Sequence, residues 1–146
     1  MIDLTAFWKG RDVTHADELT DEIRANAQET VDKANELLEA AGFKSIDTVN
    51  SGWRPQGVND ATKNAASHSK HLTGQACDLP DVGGMLRSWA VDNLDILAQI
   101  GLWIEDPRWT PTWLHIQTVP PASKRRVFIP SNAPPADPDF PVSWMA

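Results

Sequence analysis

Ser69-Lys70-His71-Leu72-Thr73-Gly74-Gln75-Ala76-Cys77-Asp78 holds an imidazole and a carboxylate with six residues between them, Gly74 among these, where the backbone can turn tightly. A turn there, closing on a short extended run from Gln75 to Leu79, aims His71 and Asp78 at one point. Nitrogen and oxygen donors suit zinc, whose catalytic sites use three protein ligands and leave a position for water. A third ligand is therefore expected. Further along, Trp113-Leu114-His115-Ile116-Gln117 alternates in the manner of a half-buried strand. Leu114 and Ile116 then face a core, and His115 stands on the other face with Trp113 and Gln117.

These residues resemble a known family, the zinc D-alanyl-D-alanine peptidases and phage endolysin peptidases that share a fold with the hedgehog signalling domain. The family pattern, Ser-x-His-x-x-Gly-x-Ala-x-Asp followed by a Trp-x-His type segment, is matched by Ser69, His71, Gly74, Ala76, Asp78 and His115. Ser51-Gly52-Trp53-Arg54-Pro55 is similar to the family's strand-end segment, in which an arginine lies beside the zinc and contacts substrate. The likeness runs from about Val49 to Gln117. On the residues alone His68 stays open as a ligand; the resemblance implies His71, with His68 at the rim. It also implies an α+β domain of hedgehog/DD-peptidase type, a small antiparallel sheet flanked by helices.

The activity so implied is hydrolysis of a peptide bond in the peptidoglycan stem peptide, either D-Ala-D-Ala or L-Ala-D-Glu. Zinc on His71, Asp78 and His115 lowers the pKa of water to roughly 7 and polarises an amide carbonyl. A general base must take the water proton. In the family that base sits just before the last ligand, but Thr112, Trp113 and Leu114 precede His115 here and none can serve. If Trp103–Asp106 pairs with the strand carrying His115, Glu105 returns to the site face across the hairpin, which makes it the expected base and Asp106 the alternative. Arg54 offers a fixed fork of donors for the developing oxyanion, and Ser69 and Gln117 are expected to support the ligands by hydrogen bonds. The displaced base keeps other readings open: a catalytically inactive hedgehog-like binding domain, or a structural component of a phage virion.

The chain has 146 residues and net charge −7, enough for one domain with a substantial core and contrary to a nucleic-acid surface. The one basic triplet, Lys124-Arg125-Arg126, reads as the flank of a strand. With a single cysteine, Cys77, no internal disulfide forms, and its place beside Asp78 in a strand turns it to the opposite face as a buried thiol. The start, Met1-Ile2-Asp3-Leu4-Thr5-Ala6, lacks the basic and apolar regions of a secretory signal, and no run reaches transmembrane length. Cytoplasmic synthesis, release to the cell wall by a phage-borne route, a monomeric state and no membrane partner are the expectations.

The first 14 residues read as short and mixed, with Phe7 and Trp8 available to a core and Thr14 as an N-cap. Leu19, Ile23, Ala27, Val31, Ala34, Leu38 and Ala41 recur at helical spacing and predict a long amphipathic helix stopped by Gly42. His15, at its start, reads as solvated. Residues 43–49 read as a strand, 56–68 as a loop, 86–100 as one helix, 102–105 and 112–119 as a strand pair, and 126–129 as an edge strand. Peptidase domain 1–129 is followed by a proline-rich tail, 130–146, in which Phe140, Val142 and Trp144 offer docking side chains. Of seven tryptophans, Trp103, Trp109 and Trp113 crowd the third ligand; packing is the plainer reading and a cleft wall the sharper one.

Overall fold

The computed structural model describes residues 1–63 and 65–141. Its longest element is α3, Asp21–Ala41, preceded by two short helices, α1 (Leu4–Trp8) and α2 (Arg11–Thr14). The cap of α3 is Thr20, whose hydroxyl accepts from Ile23 N, and not Thr14, which closes α2. Asp21 and Glu22 occupy the first turn, where the helix dipole favours acids, and Gly42 ends the helix at φ +80°. Its inward stripe, Ala27, Val31, Ala34, Leu37 and Leu38, is fully or almost fully buried, with Ile23 and Ala41 packed at its margin. Each large apolar side chain so buried contributes about 1.5–3 kcal/mol.

Four strands, β1 (Ala76–Pro80), β2 (Trp103–Glu105), β3 (Trp113–Gln117) and β4 (Val127–Phe128), form one sheet in the order β1-β3-β2-β4. The hairpin of β2 and β3 is antiparallel, as is β1 on β3, with Asp78 directly opposite His115. The sheet is not wholly antiparallel, because β4 runs parallel to β2. The outer edge of β3 is taken by β1, so the chain leaving β3 must cross to the free edge of β2, where its reversed direction matches that strand. The molecule is thus α+β, a small mixed four-stranded sheet flanked by helices.

One face of the sheet carries Cys77, Leu79, Leu114, Ile116 and Ile104, all fully buried, with α3 packed against β1 and α5 (Met85–Asp92) against β3. The Cys77 thiol belongs to this core, as its neighbour Asp78 on the opposite face requires.

Residues 43–49 form no strand. Only Ser51 makes a bridge, to Asp78, through Asp78 N to Ser51 O and Asn50 N to Asp78 O at 2.8 Å each. Part of the expected loop 56–68 is a helix, α4 (Gln56–Ala61), and the expected helix 86–100 is two, α5 and α6 (Leu94–Ile100), broken at Asn93, whose side chain bonds Trp89 O. Within the tail, Phe140 is buried and lies under Arg87; Val142 and Trp144 fall outside the described residues.

Candidate metal centre

His71 lies in a 3-10 turn, residues 70–73, whose cap is Ser69 and whose exit is Gly74 at φ +75°. A Cβ on Gly74 would sit 3.1 Å from Ile23 O, so the turn needs glycine both for its conformation and for its approach to α3. Thr30 on α3 donates to Gly74 O and Asn26 to Thr73 O, tying the turn to the long helix. The chain then enters β1, which presents Asp78 beside His115 of β3.

His71, Asp78 and His115 converge, with ligand atoms all within 4.8 Å of one another, and the group could hold a metal ion. Asp78 Oδ1 lies 2.9 Å from His115 Nδ1 and 3.3 Å from His71 Nε2. Bonds of roughly 2.0–2.1 Å in tetrahedral array separate donor atoms by about 3.3 Å, close to the spacing that Asp78 Oδ1 holds to each imidazole.

The outward nitrogens decide which atoms face the centre. His71 Nδ1 lies 2.8 Å from Gly52 O, and since a carbonyl only accepts, Nδ1 carries the hydrogen and Nε2 the lone pair. That Nε2 is buried with no hydrogen-bond partner among the described residues. His115 Nε2 lies 3.0 Å from Gln117 Oε1, and the amide's orientation is set by its Nε2, which donates to Val119 O at 2.9 Å. His115 therefore donates outward from Nε2 and keeps Nδ1 for the centre. Two lone pairs and a carboxylate oxygen pointed at one another repel unless a cation or a proton lies among them.

The titration behaviour agrees. Burial would raise Asp78, but the two imidazoles beside it hold its carboxyl below the usual range. Burial alone would lower His115, yet its hydrogen bond to Asp78 raises it to about 9. His71 is lowered, chiefly by burial. Without a metal, the proton on His115 Nδ1 neutralises the cluster.

The flanking residues take the expected neighbourhood. Ser69 Oγ accepts from His71 N at 3.2 Å and lies 3.4 Å from Arg54 Nη2, and Gln117 orients His115. Arg54 is buried, its Nε is without a partner among the described residues, and it interacts electrostatically with Asp78 and Glu105. Glu105, continuing the register that pairs Trp103 with Gln117, falls opposite His115; burial raises its pKa, while His115 and Arg54 oppose that rise. Asp106 is placed otherwise: it caps the following 3-10 turn and binds Arg108 at 2.7 Å, so its carboxylate is engaged with that turn.

His68 is exposed, His15 bonds Thr14, and neither joins the cluster. Trp103, Trp109 and Trp113 are half-buried; two of them carry arginines, Arg126 over Trp103 at 4.4 Å and Arg108 over Trp109 at 5.2 Å. Two contributors escaped the sequence reading. The Gly52 carbonyl is a backbone atom with no side-chain signature, and Phe128, edge-on to His115 at 5.9 Å, comes from a two-residue strand. Compared with models of known families, with curated proteins and with solved structures, the chain finds no match.

Proposed function

We propose that this chain is a zinc-dependent peptidoglycan peptidase of the hedgehog/DD-peptidase type, cleaving the D-Ala-D-Ala or L-Ala-D-Glu bond of the stem peptide, in the manner of a phage or prophage lysis enzyme. The observation that carries the reading is the convergence of His71 Nε2, Asp78 Oδ1 and His115 Nδ1, with the other nitrogen of each imidazole bonded away from the centre. Two imidazoles and one carboxylate favour zinc over magnesium or calcium, which prefer oxygen ligands. The metal, when bound, supplies Lewis acidity that acidifies water and polarises the scissile carbonyl.

The chain's own residues supply the rest. Glu105, partly buried and with a pKa raised by that burial, takes a proton from water and passes it to the leaving amine. Arg54, whose Nε has no partner among the described residues and whose backbone N–H bonds His71 O at 3.0 Å, directs donors to the carbonyl oxygen as charge develops on it. Gly52 and Gln117 hold the imidazoles in their tautomers.

The test is digestion of purified peptidoglycan by zinc-loaded protein, with mass spectrometry of the released muropeptides. A new amino terminus at D-Glu identifies the endopeptidase, and release of D-Ala the carboxypeptidase. Intact muropeptides, from protein that metal analysis shows to carry zinc, would exclude both.

A further inference from the structure

One cavity of the described structure is lined by none of the three candidate metal ligands. It has a volume of about 710 Å³, and its lining includes Leu94, Asp106, Arg108, Arg125, Arg126 and Val127. That size is ordinary for a small-molecule site. Its charge is not that of the molecule, since three guanidiniums face one carboxylate, a local balance of +2 in a chain of −7. Arg108 is already paired with Asp106. Arg126 spends one nitrogen on Leu102 O at 2.8 Å and stacks on Trp103, which fixes its fork and leaves donors over. Arg125 has no carboxylate within ion-pair distance among the described residues. The apolar part of the lining is Leu94, Val127 and Ile129, the last 59 % exposed.

We propose that this cavity binds a phosphate monoester carrying an apolar group, with the phosphate on Arg125 and Arg126 and the apolar group against Leu94, Val127 and Ile129. A phosphate monoester carries close to two negative charges at neutral pH and matches the +2 of the walls, whereas a carboxylate carries one. Planar guanidiniums grip its oxygens in pairs. Arg125 and Arg126 of the basic triplet thereby have a role besides flanking β4.

The experiment is a titration of the full-length, zinc-loaded protein with phenyl phosphate, followed by amide chemical shifts, with inorganic phosphate and benzoate as comparison probes. The expected result is saturable shifts at residues 123–129, tightest for phenyl phosphate and weakening with added sodium chloride. The Arg125→Gln/Arg126→Gln double variant is expected to bind about tenfold more weakly or worse, one lost charge-assisted contact being enough for that. Since Arg125 is exposed, the single Arg125→Gln variant guards against misfolding and should itself weaken binding. Shifts confined to the neighbourhood of His71 and His115, equal binding by the variants, or no shift at millimolar phenyl phosphate would each overturn the proposal. None of these outcomes bears on peptide hydrolysis, so the two readings fail separately.

Discussion

At the scale of single residues, the centre depends on which nitrogen of each histidine is kept free. Gln117→Ala removes the acceptor at His115 Nε2 and leaves the ring without its orientation, while the three donor atoms stay. Losing such a supporting bond typically costs ten- to a hundredfold in metal affinity, which competition with a chromophoric chelator would measure. The same ring sets the pH dependence. His115 is raised to about 9, so below that pH the metal-free protein holds a proton that the ion must displace. Apparent affinity should therefore rise about tenfold per pH unit from 7 toward 9, then level off, with roughly one proton released per ion near pH 7.5 in an unbuffered titration. Glu105→Gln keeps the shape and discards the proton acceptor; activity should fall by about 10²–10⁴ with zinc content unchanged. If hydrolysis persists, the base is another group. The three residues that could hold a metal were legible in the sequence because they are side chains in a motif and on a strand face, whereas Gly52 O was not, because every residue has a carbonyl.

At the scale of elements, the site is assembled where the turn at 70–73, β1 and the bridge at Ser51 meet, and Gly52 is the tightest point of that junction. A Cβ there would lie 2.2 Å from Phe7 O, a backbone atom that cannot swing aside. Gly52→Ala must therefore displace either α1 or the carbonyl that orients His71. Overpacking of this kind costs about 1–3 kcal/mol, and the displacement should weaken metal binding as well. Urea denaturation and the chelator assay on the same variant check both halves; lost stability with full affinity would show that α1 alone gives way.

Elements whose periodicity ran uninterrupted were readable in the sequence, α3 and the β2–β3 hairpin above all. The break at Asn93 was hidden, since Leu86, Ala90, Leu94 and Leu97 keep helical spacing through it. Residues 43–49 place Phe43, Ile46 and Val49 three apart, without the alternation of a strand, and only Asn50 and Ser51 reach the edge of β1. Helix α4 was obscured by Gly57 and the polar residues around it, composition that favours turns.

At the scale of the whole molecule, one buried ion pair ties together segments that the sheet does not join. Arg87 donates from Nε to Asp81 Oδ2 at 2.9 Å and from Nη1 to Thr110 O at 2.6 Å, while its guanidinium lies 4.8 Å from the centre of the Phe140 ring. The turn after β1, helix α5, the loop leading into β3 and the C-terminal tail thus meet at one side chain. Asp137 N and Trp109 Nε1 add bonds between tail and loop, to Arg108 O and Ala133 O. Arg87→Met would leave the Asp81 carboxylate buried with only the backbone N–H groups of residues 86 and 87, and breaking a buried pair on one side costs about 3–5 kcal/mol. Truncation after Ile129 should cost less, about 1.5–3 kcal/mol for the lost burial of Phe140, because the ion pair itself survives. Neither change touches a metal ligand, so affinity for zinc should stay within a few-fold of the parent once the variant is folded. The loop that Arg87 braces also carries Asp106 and adjoins Glu105, so turnover should fall further than binding. Equilibrium unfolding ranks the two costs, and a kcat that drops in Arg87→Met at constant zinc content would show that the ion pair supports the proposed base, Glu105, from behind.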